Sequence, residues 1–138
     1  MSPSALALVG YAAWTLLLAI VILSHRTLLV FAKKRPANSF SPGGEDVSPF
    51  SARLCRAHAN CYENLPIFGA LILLALVTDH AAITDPLARW VLVARVAQSS
   101  VHLISTSEIA VTVRGTFYWL QLGVLAYWVV QLGLLGFG

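Results

Sequence analysis

Arg56, Asn60 and Glu63 stand at i, i+4 and i+7, immediately ahead of the apolar run Ile67 to Val77. On a helix that spacing puts a guanidinium, an amide and a carboxylate on one face. Ionisable groups at membrane depth are costly and face a bundle interior or a watery cavity, where partners or ligands offset the cost. The trio therefore has the geometry of a site. The plainer alternative is an Arg and a Glu at a helix end that pair with each other or reach out to lipid headgroups.

Two further polar stripes accompany it. Arg95, Gln98 and His102 lie at i, i+3 and i+7, with Ser99 beside them, and Arg114, Tyr118 and Gln121 lie at i, i+4 and i+7. Arg26, Arg56, Arg95 and Arg114 are expected at one depth, with Glu63 as the nearby acid. Four cations so placed repel one another unless an anion joins them, so the pattern predicts an anionic ligand. Arg26 and Arg89 also fit a simpler role as interfacial side chains that reach toward the headgroups.

The elements that carry these stripes must be membrane helices. The 138 residues are 58% hydrophobic and 11% charged, against about 45–50% and about 25% in a soluble domain. At roughly 20 residues per span the chain accommodates four spans and no separate soluble domain. The apolar stretch Leu6 to Leu23 lacks a basic leader before it and a small-residue cleavage site behind it, so it is expected to be a retained first helix.

Ser48-Pro49 and Thr84-Asp85-Pro86 read as a cap followed by proline at the first helical position. The resulting expectation is one all-α integral membrane domain, a bundle of four transmembrane helices at about 4–34, 49–77, 86–105 and 109–135. Pro36 to Ser48 forms its one long loop, and Pro66 is expected to kink the second helix.

The formal charge of +3 is small and scattered, which excludes the clustered basic face of a nucleic-acid binder. Cys55 and Cys61 have no metal-ligand spacing and are expected as small buried groups. Arg26, Lys33, Lys34, Arg35 and Arg53 flank the first connection, whereas Asp79, His80 and Asp85 mark the second. The positive-inside tendency then places the first and third connections in the cytoplasm and both termini on the other side, with a bacterial inner membrane as the expected home.

Arg56-Ala57-His58-x-Asn60-x-x-Glu63 followed by Pro66 resembles the second-helix signature of the MAPEG family, the membrane-associated proteins of eicosanoid and glutathione metabolism. Arg95-Val96-Ala97 and Arg114-x-x-x-Tyr118 resemble that family's later motifs, in the same order. The resemblance implies a homotrimer surrounded by membrane lipids that binds glutathione between subunits near the cytoplasmic side and acts on small lipophilic electrophiles arriving through the bilayer.

By the same resemblance, Asn60 and Glu63 hold the glutathione backbone and its amino end, while Arg56 and Arg95 meet its carboxylates. Arg114 stabilises the thiolate and Tyr118 assists as the second catalytic group. Gln98, His102 and Arg26 complete the expected glutathione contacts, and no metal is implied. Ala59 stands where the prostaglandin synthase branch often has Arg, Gln98 and His102 where it has His and Tyr, and Gly115 where it has Ser. The implied activity is glutathione-dependent transfer or peroxide reduction; the alternative is a non-catalytic membrane protein of the same fold that binds another anionic or lipid ligand.

Overall fold

The computed structural model describes residues 1–138 and is all-helical. Four helices follow in order: α1 (Pro3–Phe31), α2 (Pro49–Val77), α3 (Ala81–Ile104) and α4 (Glu108–Leu135). The start of α1 meets the start of α3 through Ser4 and Thr84. The end of α1 meets the start of α2 through Arg26 and Cys55, and the start of α2 meets the end of α3 through Arg53 and Leu103. The chain therefore runs up and down through the bundle, with the α1–α2 loop and the α3–α4 turn at one end.

Local signals explain most of the boundaries. Ser48 Oγ accepts from Ser51 N at 3.0 Å with Pro49 at the first helical position, and Ser107 Oγ accepts from Ala110 N at 3.2 Å. Each satisfies an amide that the first turn would leave without a partner. α1 stops at Phe31, short of the expected Lys34, because Lys33 takes a left-handed φ of 56°.

The start of α3 differs from the sequence expectation. The helix begins at Ala81, and Thr84-Asp85-Pro86 lies within its opening turns. Thr84 and Asp85 do not cap their own helix: Asp85 Oδ1 accepts from Ser4 N at 2.9 Å, and Thr84 Oγ1 pairs with Ser4 Oγ at 2.6 Å. Long-range bonds to α1 have taken the groups that would otherwise have capped the start of the helix.

Only 28 of 138 residues are buried, while Leu6, Leu16, Leu23, Leu28, Ile67, Val93, Leu120 and Val129 are among the many large apolar side chains left exposed. Such a surface needs lipid rather than water as its solvent. Three helices, α1, α2 and α4, are long and apolar enough to cross a membrane. α3 is long enough, at 24 residues, but carries Asp85, Arg89 and Arg95. It also turns its polar residues inward: Arg95, Gln98, Ser99 and His102 are all buried. The composition of α3 is that of the bundle's polar centre.

Apolar side chains gain nothing by leaving lipid for one another, so these helices associate through close packing and hydrogen bonds. Tyr11 stacks on Phe68 at 5.0 Å between centroids, and Phe68 meets Trp128 at 6.0 Å, which ties α1, α2 and α4 together. At Gly10 an added Cβ would come within 2.6 Å of Leu92 Cδ2. The missing side chain is what lets α1 lie so near α3.

Candidate functional site

The polar residues gather toward the end of the bundle that carries the α1–α2 loop. A cavity of about 780 Å3 opens there, lined by Arg53, Arg56, Cys55, Ala59 and Tyr62 of α2, His102 of α3, Thr106 of the following turn, and Pro42, Gly43 and Glu45 of the loop. The guanidinium groups of Arg114, Arg56 and Arg53 all lie close enough to His102 to act on it electrostatically. Arg114 is half-buried, and its Nε is buried without a hydrogen-bond partner. The only ion pair in the chain is Arg35–Asp46 in the loop, so although Glu45 lines the same cavity, no carboxylate is in direct contact with these arginines.

Arg26 sits in a neighbouring cavity of about 260 Å3 with His58 and Leu23, and Pro42, Cys55, Ala59 and Tyr62 form part of both walls. Its Nη2 donates to Ser41 O at 2.8 Å and approaches Cys55 Sγ at 3.7 Å, with the guanidinium 5.5 Å from the Phe40 ring centre. Its Nε has no partner. Arg26 is thus a loop anchor beside the main cavity.

Arg95 lies deeper. It is 1% exposed; its Nη1 donates to Asn60 O at 3.2 Å, and its guanidinium lies 5.6 Å from the Tyr11 ring centre and 5.9 Å from that of Tyr118. The four arginines do not share one depth. Arg56 belongs to the cavity at the loop end, and Arg95 belongs to the centre, where it joins α1, α2, α3 and α4.

The carbonyls that receive these bonds belong to the turn ahead of Pro66. Asn60 O also accepts from Asn64 Nδ2 at 2.9 Å, and Cys61 O accepts from Tyr11 Oη at 3.2 Å. Pro66 frees only the carbonyl of Tyr62, four residues before it; Asn60 O and Cys61 O accept these side-chain donors because a backbone carbonyl has two lone pairs. The α2 backbone there serves as an acceptor surface for side chains of α1 and α3.

The remaining expected residues divide between inside and outside. Glu63 and Arg56 are exposed on α2 and do not pair with each other, which removes the pairing half of the helix-end alternative. Asn60 is partly exposed one turn from Arg56, and Tyr118 is half-buried beneath Arg95. Gln98 is buried and accepts from Gln121 Nε2 at 2.8 Å, so its amide is engaged in the interior and not in the main cavity.

Arg53 and Tyr11 were not among the expected site residues. Arg53 Nε donates to Leu103 O at 3.0 Å, which pins the start of α2 to the end of α3 while its guanidinium lines the cavity. Its position three residues before Arg56 was the available signal. Tyr11, with Thr15 one turn on, is a polar step in the apolar first half of α1.

Comparison with known proteins agrees with the reading of the motifs. No curated protein and no solved structure matches the chain. The profile described as MAPEG family matches residues 4–134, which spans all four helices and every residue of the three polar stripes. The chain is an integral membrane protein and belongs to the MAPEG family of glutathione and eicosanoid metabolism.

Proposed function

We propose that this protein is a glutathione-dependent transferase or peroxidase that activates a thiol for attack on lipophilic electrophiles entering from the bilayer. The observation that carries this reading is the cavity holding Arg53, Arg56 and His102, near Arg114, with no carboxylate paired to any of them. An anionic ligand suits such a cavity, and the unpartnered Nε of Arg114 suits an added acceptor.

Glutathione supplies the nucleophilic thiol. Arg56 meets its carboxylates, Asn60 and Glu63 take its backbone and amino end, and Arg95 holds the Asn60 turn in place. Arg114 favours the thiolate over the thiol, because an adjacent guanidinium lowers a thiol pKa from its ordinary value of about 8.5. Tyr118 donates to the reacting centre. In the conjugation step a carbon–sulfur bond forms as the carbon–halogen bond of an aryl halide breaks, and halide leaves.

The outward face of Arg56 and Glu63 gives a second subunit access to the same ligand, consistent with a homotrimer that binds at its interfaces. The membrane would be a bacterial inner membrane with both termini on the non-cytoplasmic side. A second reading, a non-catalytic relative that binds another anionic or lipid ligand, is favoured by the internal engagement of Gln98, which withdraws one expected contact.

Conjugation of glutathione to 1-chloro-2,4-dinitrobenzene by purified protein tests the proposal. Arg114→Ala should lose most of the turnover while retaining most of the binding, because the arginine acts on the thiolate more than on the ligand as a whole. Equal rates in the two proteins would remove Arg114 from the mechanism. Absence of saturable glutathione binding at millimolar concentration would favour the second reading.

A further inference from the structure

Away from the basic cavity and its neighbour, α3 and α4 border a third space of about 390 Å3. Its walls include Trp90, Val93, Ala94, Phe117 and Leu120, and Gln121 is the one polar side chain among the residues that line it. No residue is common to this groove and the basic cavity. Trp90, Val93 and Leu120 are each more than half exposed, so the groove opens where the helices face lipid.

Gln121 is 2% exposed, and its amide is only partly satisfied. Nε2 donates to Phe117 O at 2.9 Å and to Gln98 Oε1 at 2.8 Å. A backbone carbonyl can only accept, so the nitrogen must point toward Phe117 O, which fixes the orientation of the amide. The other end, Oε1, is buried with no donor. A buried acceptor without a partner is costly, and in lipid no water is at hand to supply one.

We infer that the α3–α4 groove is a binding site for a lipophilic alcohol or phenol dissolved in the bilayer, whose single hydroxyl donates to Gln121 Oε1 while its apolar body lies along Trp90, Ala94 and Phe117. The size fits: at about 30 Å3 for each water-sized group, the groove holds roughly thirteen heavy atoms. A charged ligand is excluded, because no ionisable side chain lines the space. A plain alkane would fill it but leave the acceptor unpaired.

Brominated probes that quench tryptophan fluorescence test this in detergent or nanodiscs. 11-Bromoundecanol should quench Trp90 saturably, at about tenfold lower mole fraction than 1-bromoundecane, the ratio expected for one added hydrogen bond to a buried acceptor. Trp90→Phe should remove the saturable component and leave the background from the other tryptophans. Gln121→Leu should bring the two probes together. Because that change also strips Gln98 of its donor, Ala94→Phe is a second test that fills the groove with Gln121 intact, and it should abolish saturable quenching by both probes. Identical curves for the two probes in the unmodified protein, discrimination that survives Gln121→Leu, or saturable quenching that survives Ala94→Phe would overturn the assignment. So would the absence of saturable quenching in the unmodified protein, the result expected if a second copy of the chain covers the groove.

Discussion

Arg95 donates from Nη1 to the backbone carbonyl of Asn60 at 3.2 Å, so the central cation of α3 grips the turn of α2 on which the candidate glutathione contacts sit. No carboxylate pairs with it. Two tyrosine faces and a carbonyl take the place of a counter-ion, an arrangement that suits the flat, weakly hydrated guanidinium.

Arg95→Lys should therefore be far from conservative. An ammonium keeps the charge but not the stacking over Tyr11 and Tyr118, and it is more strongly hydrated. The apparent melting temperature in detergent, followed by far-ultraviolet circular dichroism, should fall by roughly 5 °C, as for a loss of about 1–2 kcal/mol in a chain of this size. An unchanged melting curve would mean that charge alone holds the turn.

Glu63 is exposed on the same helix and free of any ion pair. Glu63→Gln should leave the melting temperature nearly unaltered and weaken glutathione binding about tenfold, on the scale of one charge-assisted hydrogen bond. Isothermal titration of the two proteins checks this, and equal affinities would dissociate Glu63 from the ligand's amino end.

The α1–α2 loop makes a prediction about acidity. Asp46 accepts from Ser41 Oγ at 2.8 Å, from Ser41 N at 3.2 Å and from Arg35 Nη2 at 2.7 Å. The Ser41 hydrogen bonds, then Arg35, lower its pKa from 3.8 to about 2. A lowered pKa means that the ionised form holds the loop. The contribution is complete above about pH 4 and is lost as the pH falls through about 2. Resonances of the Ser41 amide and the Asp46 carboxyl should titrate together with a midpoint near 2; a midpoint near the ordinary carboxylate value would show that the loop contacts are not maintained.

Gly44 sets the depth of the same loop. Its φ is +73°, and an added Cβ would lie 2.7 Å from Ser51 Oγ, 2.8 Å from Cys55 Sγ and 2.9 Å from Ser51 O. Gly44→Ala combines a left-handed backbone with a clash against helix backbone, and should destabilise the protein by about 1–3 kcal/mol. Since Gly43 and Cys55 both line the basic cavity, glutathione affinity should fall as well. A thermal shift assay and a binding isotherm on one preparation measure both effects.

Much of this molecule was legible in its sequence because membrane helices announce themselves through length and apolarity, and because Ser48-Pro49 is a local signal that nothing distant overrides. The start of α3 was misread for the opposite reason: Thr84 and Asp85 carry the right local chemistry, but Ser4 claims it from another helix. Spacing placed Arg95, Gln98 and His102 on one stripe, yet could not tell that Gln98 would turn toward Gln121 while His102 would face Arg53 and Arg56. Periodicity gives the face of a helix; which neighbour occupies that face is a property of the bundle.

The bonds from Ser4 to Thr84 and Asp85 also impose an order on biosynthesis. The opening turn of α1 reaches the membrane with an amide whose acceptor lies 81 residues downstream. At roughly 5–20 residues per second that acceptor emerges from the ribosome about 4–16 s later. For that interval α1 is a finished span with an unfinished end, and the nascent bundle closes only once α3 has been delivered beside it.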